Sequence, residues 1–197
     1  MRVVITQRVD QEEGRTEKRD ALDQAWAYVL PLLLGRSVTM LPLANIPASA
    51  KETLTALQPE FIVLSGGNDI GQAPERDATE AAVLDYAKQQ KLPLLAVCRG
   101  MQFMQHYLGG ALVKLEGHVG AQHTVRATDG SELIVNSFHN FGIVTLANAL
   151  KALYVHEDGS IEAAGHNDLP WLGVMWHPER AMPPEANRWL SKQLRRW

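Results

Sequence analysis

One cysteine stands in this chain, Cys98, where the apolar run Leu94-Leu95-Ala96-Val97 gives way to Arg99-Gly100-Met101-Gln102. A thiol at the mouth of a helix meets free N–H groups and the positive end of the helix dipole, which favour thiolate. The small residues at Ala96 and Gly100 allow the sharp strand-to-helix turn that carries a nucleophile, here in a thiol version. A lone cysteine among apolar neighbours is equally the ordinary mark of a small buried hydrophobe. Chemistry needs more: a thiolate nucleophile wants an imidazole to protonate its leaving group, and that imidazole wants an orienting carboxylate. The stretch "LGVMWHPER" offers both. Its apolar part, Leu172 to Trp176, reads as a strand ended by Pro178, which delivers His177 and then Glu179 on the same side. A third stretch, "IVLSGGND", closes an apolar run with Ser65-Gly66-Gly67. There backbone N–H groups approach a ligand with no side chain in the way. The N–H groups of Gly67 and Arg99 would together hold an oxyanion. A His-Pro-Glu or a Gly-Gly taken singly is a turn and nothing more. The three stretches together, each at the end of an apolar run, are a much stronger signal of cysteine chemistry than any one of them, and chance is a poor account of all three.

The elements that must position these residues follow from periodicity. Val3–Thr6, Ser37–Leu41, Phe61–Leu64 and Leu92–Val97 read as buried strands. Helices are expected over Arg19–Leu34, over Ser49–Leu57 with a Ser N-cap, over Ala78–Gln89 and over Met101–Leu108, the last stopped at Gly109-Gly110. Apolar strands alternating with helices make a parallel sheet covered on both faces, and in such sheets ligands bind outside the carboxyl ends of the strands. From His123 to Met175 the apolar runs shorten between Asp-Gly, Asn-Ser and Asn-Asp turns, as in antiparallel strands, and Pro184–Arg196 closes the chain as a helix. No linker, repeat or low-complexity segment interrupts residues 1–197, so a single domain is expected. The stretch Gln7 to Lys18 reads as a loop at the carboxyl edge of the sheet. Its Arg8 and Arg15 are candidates to meet an anionic leaving group, although arginines in a polar loop are commonly just solvated.

Composition bounds the rest. With 46% hydrophobic and 21% charged residues the chain is built like an ordinary globular protein, long enough to fold without disulfides or structural metal. A net charge of −3 gives no reason to expect nucleic acid as a partner. No apolar run reaches the roughly 18 residues of a membrane span, and the opening Met1–Thr6 meets charge too soon to read as a signal peptide. One cysteine makes no intramolecular disulfide, so a reducing, cytoplasmic location is the default expectation. His118 and His123, five apart in a Gly-rich stretch, are read as loop or strand residues and not as metal ligands. Neither a metal nor an organic cofactor is expected. Trp189 and Trp197 on the last helix could serve an interface or pack that helix on the sheet.

Taken in order, Ser65-Gly66-Gly67-Asn68-Asp69, Cys98-Arg99-Gly100-Met101-Gln102, Val135-Asn136-Ser137-Phe138-His139 and Trp176-His177-Pro178-Glu179 resemble the motifs of class I glutamine amidotransferases. The Cys-Arg-Gly-x-Gln and Asn-Ser-x-His forms, with the Arg76-Asp77 pair, are most similar to the γ-glutamyl hydrolase branch. The opening stretch, Ile5 to Trp26, is similar to a short subgroup that includes hydrolases of γ-glutamyl-nucleotide amidates. The resemblance implies a flavodoxin-like α/β fold with a mostly parallel central sheet, helices on both faces and a small antiparallel extension. It implies a triad of Cys98, His177 and Glu179, oxyanion donors at Gly67 and Arg99, and γ-glutamyl-binding positions at Gln102, Ser137, Phe138 and His139. The expected reaction is hydrolysis of a small-molecule γ-glutamyl amide through a Cys98 thioester, without cofactor. Two other readings stay open: a glutaminase subunit that feeds ammonia to a partner synthetase, and a non-catalytic binding module of the same fold. A homodimer is compatible with either. Ala96 stands where many amidotransferases carry glycine, and the chain is shorter than typical hydrolases of the branch, so the substrate is less well defined than the chemistry.

Overall fold

The computed structural model describes residues 1–197. In chain order the elements are β1 (Arg2–Thr6), β2 (Arg8–Gln11), β3 (Lys18–Ala21), α1 (Trp26–Leu34), β4 (Thr39–Leu43), α2 (Pro47–Leu57), β5 (Phe61–Leu64), α3 (Pro74–Gln90), β6 (Leu94–Val97) and α4 (Arg99–Tyr107). They continue with β7 (Val113–Lys114), β8 (Val119–Arg126), β9 (Glu132–Phe138), β10 (Phe141–Gly142), β11 (Leu150–His156), β12 (Ile161–His166), β13 (Trp171–Val174) and α5 (Pro184–Leu194). One nine-stranded sheet runs β4-β1-β5-β6-β13-β12-β11-β8-β9. Its first five strands are parallel, and from β12 outward each pairs antiparallel with its neighbour.

The alternation of side chains along β1 shows how the sheet is covered. Val3 and Ile5 face a core shared with Trp26 and Leu30 of α1 and Leu190 of α5. Val4 faces the other way, toward Leu54 of α2, Val83 of α3 and Met104 of α4. Strands buried on both faces have no polar side, and for that reason they read as continuous apolar runs.

Several expected boundaries move. The polar stretch after β1 is a β2–β3 hairpin, not a loop. Asn68 pins it by bonding both backbone groups of Val9, at 2.8 and 2.7 Å, much as a neighbouring strand would. The hairpin takes Arg19–Ala21 from the expected first helix, which begins at Trp26 instead. α2 opens on Pro47, with no side-chain cap from Ser49. α3 likewise starts at Pro74, a turn earlier than expected. Proline suits the first helical position because its missing N–H would lack a partner there anyway. β13 stops at Val174, so Met175 and Trp176 carry the chain from the strand to His177. Trp189 packs against Tyr154 and Trp176, with ring centroids 5.1 and 5.9 Å apart, and Trp197 lies 6.4 Å from Phe61. Trp189 packs the last helix on the sheet, while Trp197, beyond the end of α5, stays exposed. No helix is long and apolar enough to cross a membrane.

Candidate active site

β6 and β13 pair in parallel with Val97 opposite Val174, so the two strands end side by side. Cys98 follows the first directly, its N–H bonded to the Val174 carbonyl at 2.8 Å. The cysteine sits at φ 50° and ψ −109°, a conformation most non-glycine residues avoid. Such strain costs on the order of 1–3 kcal/mol and persists only where surroundings enforce it. Gly100 is one source of enforcement: a Cβ there would lie 2.3 Å from the Leu64 carbonyl oxygen, because the start of α4 rests directly on β5.

His177 reaches the same edge from β13. Its Nδ1 lies 2.7 Å from Glu179 Oε1, with both side chains buried. The carboxylate accepts, so the proton sits on Nδ1 and Nε2 is left free to exchange protons. Asn136 fixes the backbone of this histidine, accepting from its N–H at 2.8 Å and donating to its carbonyl at 3.0 Å. The imidazole lies on Gly66, where a Cβ would come within 2.7 Å of Cε1. Gly67, at φ +122°, could bear no side chain either, since a Cβ would meet Arg8 and Arg76.

The expectation for the thiol needs correcting. Burial pushes Cys98 up to about 12, and the N–H of Arg99 pulls the other way without prevailing. Burial therefore favours the neutral thiol over the thiolate. A thiol so held needs a base beside it before it can serve as a nucleophile.

Beneath the Gly66–Gly67 turn lies a layer that sequence reading missed. Arg76 donates to Glu80 at 3.0 Å and to the Ser65 carbonyl at 2.7 Å. Glu80 also accepts from Thr6 at 2.8 Å and pairs with Arg99, which pairs in turn with Asp77 and lies 4.6 Å over the ring of Phe103. Burial presses Arg99 down to about 9, reinforced by Arg76, while Asp77 holds it up. This buried network joins β1, β5, α3 and α4. Arg76 and Glu80 are spaced i, i+4, but such pairs are ordinarily solvated, and only the fold places both on the buried face of α3.

The expected binding residues part company. Phe138 is at the site, its ring edge-on to His177 at 5.9 Å and covered by Arg180 at 4.6 Å. Gln102 is buried, its amide donating to the Phe141 carbonyl at 2.7 Å. Ser137 and His139 turn into the protein, bonded to the His118 and Phe141 carbonyls at 2.7 and 3.0 Å. Of the two loop arginines, Arg8 lines the open cavity beside the histidine, with its guanidinium paired to Asp10 at 2.8 Å, and Arg15 stands at the hairpin tip, paired with Glu12 at 3.0 Å. The cavity measures about 290 Å³, with Gly66, Gly67, His177, Glu179 and Asp23 in its wall. Arg180, which sequence reading passed over, contributes a second guanidinium.

This sheet and this edge define the class of the protein: an α/β enzyme of the class I glutamine amidotransferase type. The chain belongs to the Peptidase C26 family, whose model matches residues 5–179. It is thus a cysteine-dependent enzyme of the hydrolase and amidotransferase type. A γ-glutamyl-CDP-amidate hydrolase of Campylobacter jejuni is 34% identical over 187 residues, covering 91% of this chain and 90% of that one. The carbamoyl phosphate synthase small chain of Symbiobacterium thermophilum is 33% identical over 166 residues, covering 79% of this chain and 43% of that one. Among solved structures, a glutamine amidotransferase of Thermotoga maritima superposes with a TM-score of 0.66 at 14% identity, covering 98% of this chain and 94% of that one.

Proposed function

We propose that this chain hydrolyses a γ-glutamyl amide whose leaving amine carries an anionic group, a nucleotide-type amidate being the best fit. The observation that carries the reaction is the pair of adjacent strand ends, one bearing a strained cysteine and the other a histidine fixed at 2.7 Å by a buried carboxylate. In this reading the Cys98 sulfur attacks the γ-carbonyl carbon while its proton passes to Nε2 of His177. The oxyanion rests on the N–H groups of Gly67 and Arg99, donors worth roughly 3 kcal/mol each. His177 then gives the proton to the departing nitrogen, the C–N bond breaks, and a thioester remains. Water, deprotonated by the same imidazole, releases glutamate and restores the thiol.

Support for the leaving group comes from Arg8 and Arg180 beside the histidine, two guanidiniums suited to phosphate oxygens. The activity that names the Campylobacter relative agrees with that choice. A lone thiol fits a reducing compartment such as the cytoplasm. The likeness to a synthase small chain keeps a second reading in view, ammonia supply to a partner synthetase.

The test is glutamate release by the pure protein from glutamine, γ-glutamyl-γ-aminobutyrate and a phosphorylated γ-glutamyl amide, with Cys98→Ala as the blank. Turnover of the phosphorylated amide well above glutamine is expected, with none in Cys98→Ala. Full activity in that variant would overturn the scheme, and glutaminase activity that appears only with a partner protein would select the second reading.

A further inference from the structure

Away from the cavity, at the antiparallel end of the sheet, the fold gathers His118, His123, His139, His156 and Glu162. They come from the residue before β8, from β8, from the residue after β9, and from β11 and β12. No spacing in the sequence links them, which is why the His118–His123 pair gave no metal signal.

We infer that His118, His139 and Glu162 form a binding site for one divalent transition-metal ion, zinc by preference. Lone pairs that face one another mark the site. His118 Nε2 lies 2.8 Å from Asp158 Oδ2, and His139 Nδ1 lies 3.0 Å from the Phe141 carbonyl. Both partners only accept, so each ring carries its proton on that side and turns a bare nitrogen, Nδ1 of His118 and Nε2 of His139, toward Glu162. Neither of these nitrogens has a partner, nor has Glu162 Oε2, and all three residues are buried. Glu162 Oε1 has one long contact, from Ser160 Oγ at 3.4 Å. Acceptors thus face acceptors in a closed pocket, an arrangement a cation resolves and that is costly without one.

The distances fit the same answer. Glu162 Oε1 is 3.8 Å from His118 Nδ1 and 3.6 Å from His139 Nε2, too far for hydrogen bonds. Two ligands at about 2.0–2.1 Å in tetrahedral array stand about 3.4 Å apart, so a contraction of a few tenths of an ångström closes the site. A carboxylate or a backbone carbonyl behind each histidine is the support that metal-bound imidazoles have. His123 stands edge-on to His118, with centroids 4.3 Å apart, and its Nδ1 also lacks a partner. The other close trio, His118, His123 and His156, is less apt, since His156 commits Nδ1 to the Thr124 carbonyl and is only partly buried. The ion would brace the antiparallel end. Ser137 Oγ and the His139 N–H both bond the His118 carbonyl, and Asn136, one residue before Ser137, grips His177.

The experiment uses the full chain carrying Cys98→Ala, so that no metal is held by the thiol. Chelator-stripped protein is titrated with Co²⁺ and Zn²⁺, following the visible absorption of Co²⁺ and the thermal midpoint. The expected result is one ion per chain, a rise in midpoint, and displacement of Co²⁺ by Zn²⁺. Asp158→Asn, which touches no metal directly, should weaken binding by roughly 10–100-fold. Glu162→Gln and His139→Gln should abolish it, and His166→Gln, outside the cluster, should leave it intact. Stripped protein that stays folded and takes up neither ion overturns the proposal in favour of a protonated His–Glu–His cluster. Uptake unchanged in Glu162→Gln overturns it too.

Discussion

Glu179 does one thing: it keeps the His177 proton on Nδ1 and the ring turned so that Nε2 is free. Its other oxygen is buried without a partner. An amide at this position would turn its NH₂ toward Nδ1 and reverse the tautomer, leaving the wrong nitrogen protonated. In the proposed mechanism Glu179→Gln should therefore lower kcat by about 10⁴-fold while leaving a measurable remnant, as the corresponding change does in serine triads. KM should move little, and steady-state kinetics separate the two. The thiol makes a different prediction, about stability. Cys98 titrates near 9 when unfolded and is pushed up to about 12 by burial in the fold. Above pH 9 the unfolded chain loses a proton that the folded chain keeps. The stability that neutral Cys98 contributes is thus complete below pH 9 and drains away as pH rises toward 12. The slope approaches roughly 1.4 kcal/mol per pH unit at most. Urea unfolding at pH 8 and pH 10 should show the wild type losing about 1 kcal/mol more than Cys98→Ala over that interval. Equal losses would mean that the thiol is not buried as drawn.

Among the elements, α3 does more than cover the sheet. Glu80 on its buried face is the one carboxylate shared by Arg76 and Arg99, and through Thr6 and Ser65 the network reaches the turn that holds Gly66 and Gly67. Removing that charge alone leaves two buried guanidiniums facing each other, with only Asp77 to answer them. Glu80→Gln keeps the shape and should cost about 3–5 kcal/mol, read as a fall in the urea midpoint with little change in slope. This network also marks the limit of what the sequence discloses. Phe61–Leu64 and Leu94–Val97 announce themselves because strands buried on both faces carry no polar residue to interrupt them. Cys98, His177 and Glu179 are legible because they follow such runs. A glutamate in mid-helix has no such flag, since most are solvated, and only the tertiary fold turns Glu80 inward. The hairpin β2–β3 is hidden for a related reason. Its residues are polar with no alternation to read, and its shape is set from outside by Asn68 on Val9 and by Asp20, which accepts from the Asn45 backbone at 2.9 Å.

For the molecule as a whole, the parallel half of the sheet supplies the proposed chemistry, and what is added around it supplies choice. The strand ends of β5, β6 and β13 bring Gly67, Cys98 and His177 to one edge. The hairpin and Arg180 wall the cavity on the side where a departing amine would lie. If these parts are separable, selectivity can be removed without removing turnover. The hairpin tip, residues 12–17, is joined to β3 by exposed ion pairs of Arg19 with Glu12 and Glu17, and holds one more within itself, Arg15 with Glu12. Such pairs contribute at most about 1 kcal/mol each, so replacing the tip with a two-residue Asn-Gly turn should leave the fold standing. Arg8 remains in the shortened hairpin, still opposite Ala21 and beside the Asn68–Val9 bonds, so of the two candidate arginines the truncation removes only Arg15. The expected outcome is a kcat on glutamine within about threefold of the wild type, and a kcat/KM on a phosphorylated γ-glutamyl amide lowered by about tenfold or more, close to the worth of one charge-assisted contact. Arg8→Ala in the full-length hairpin should give a loss of similar size, and its effect should shrink as ionic strength rises. An equal fall on both substrates would place the hairpin in the support of the catalytic edge itself, and selectivity would then have to reside with Arg180 and the segment after β13.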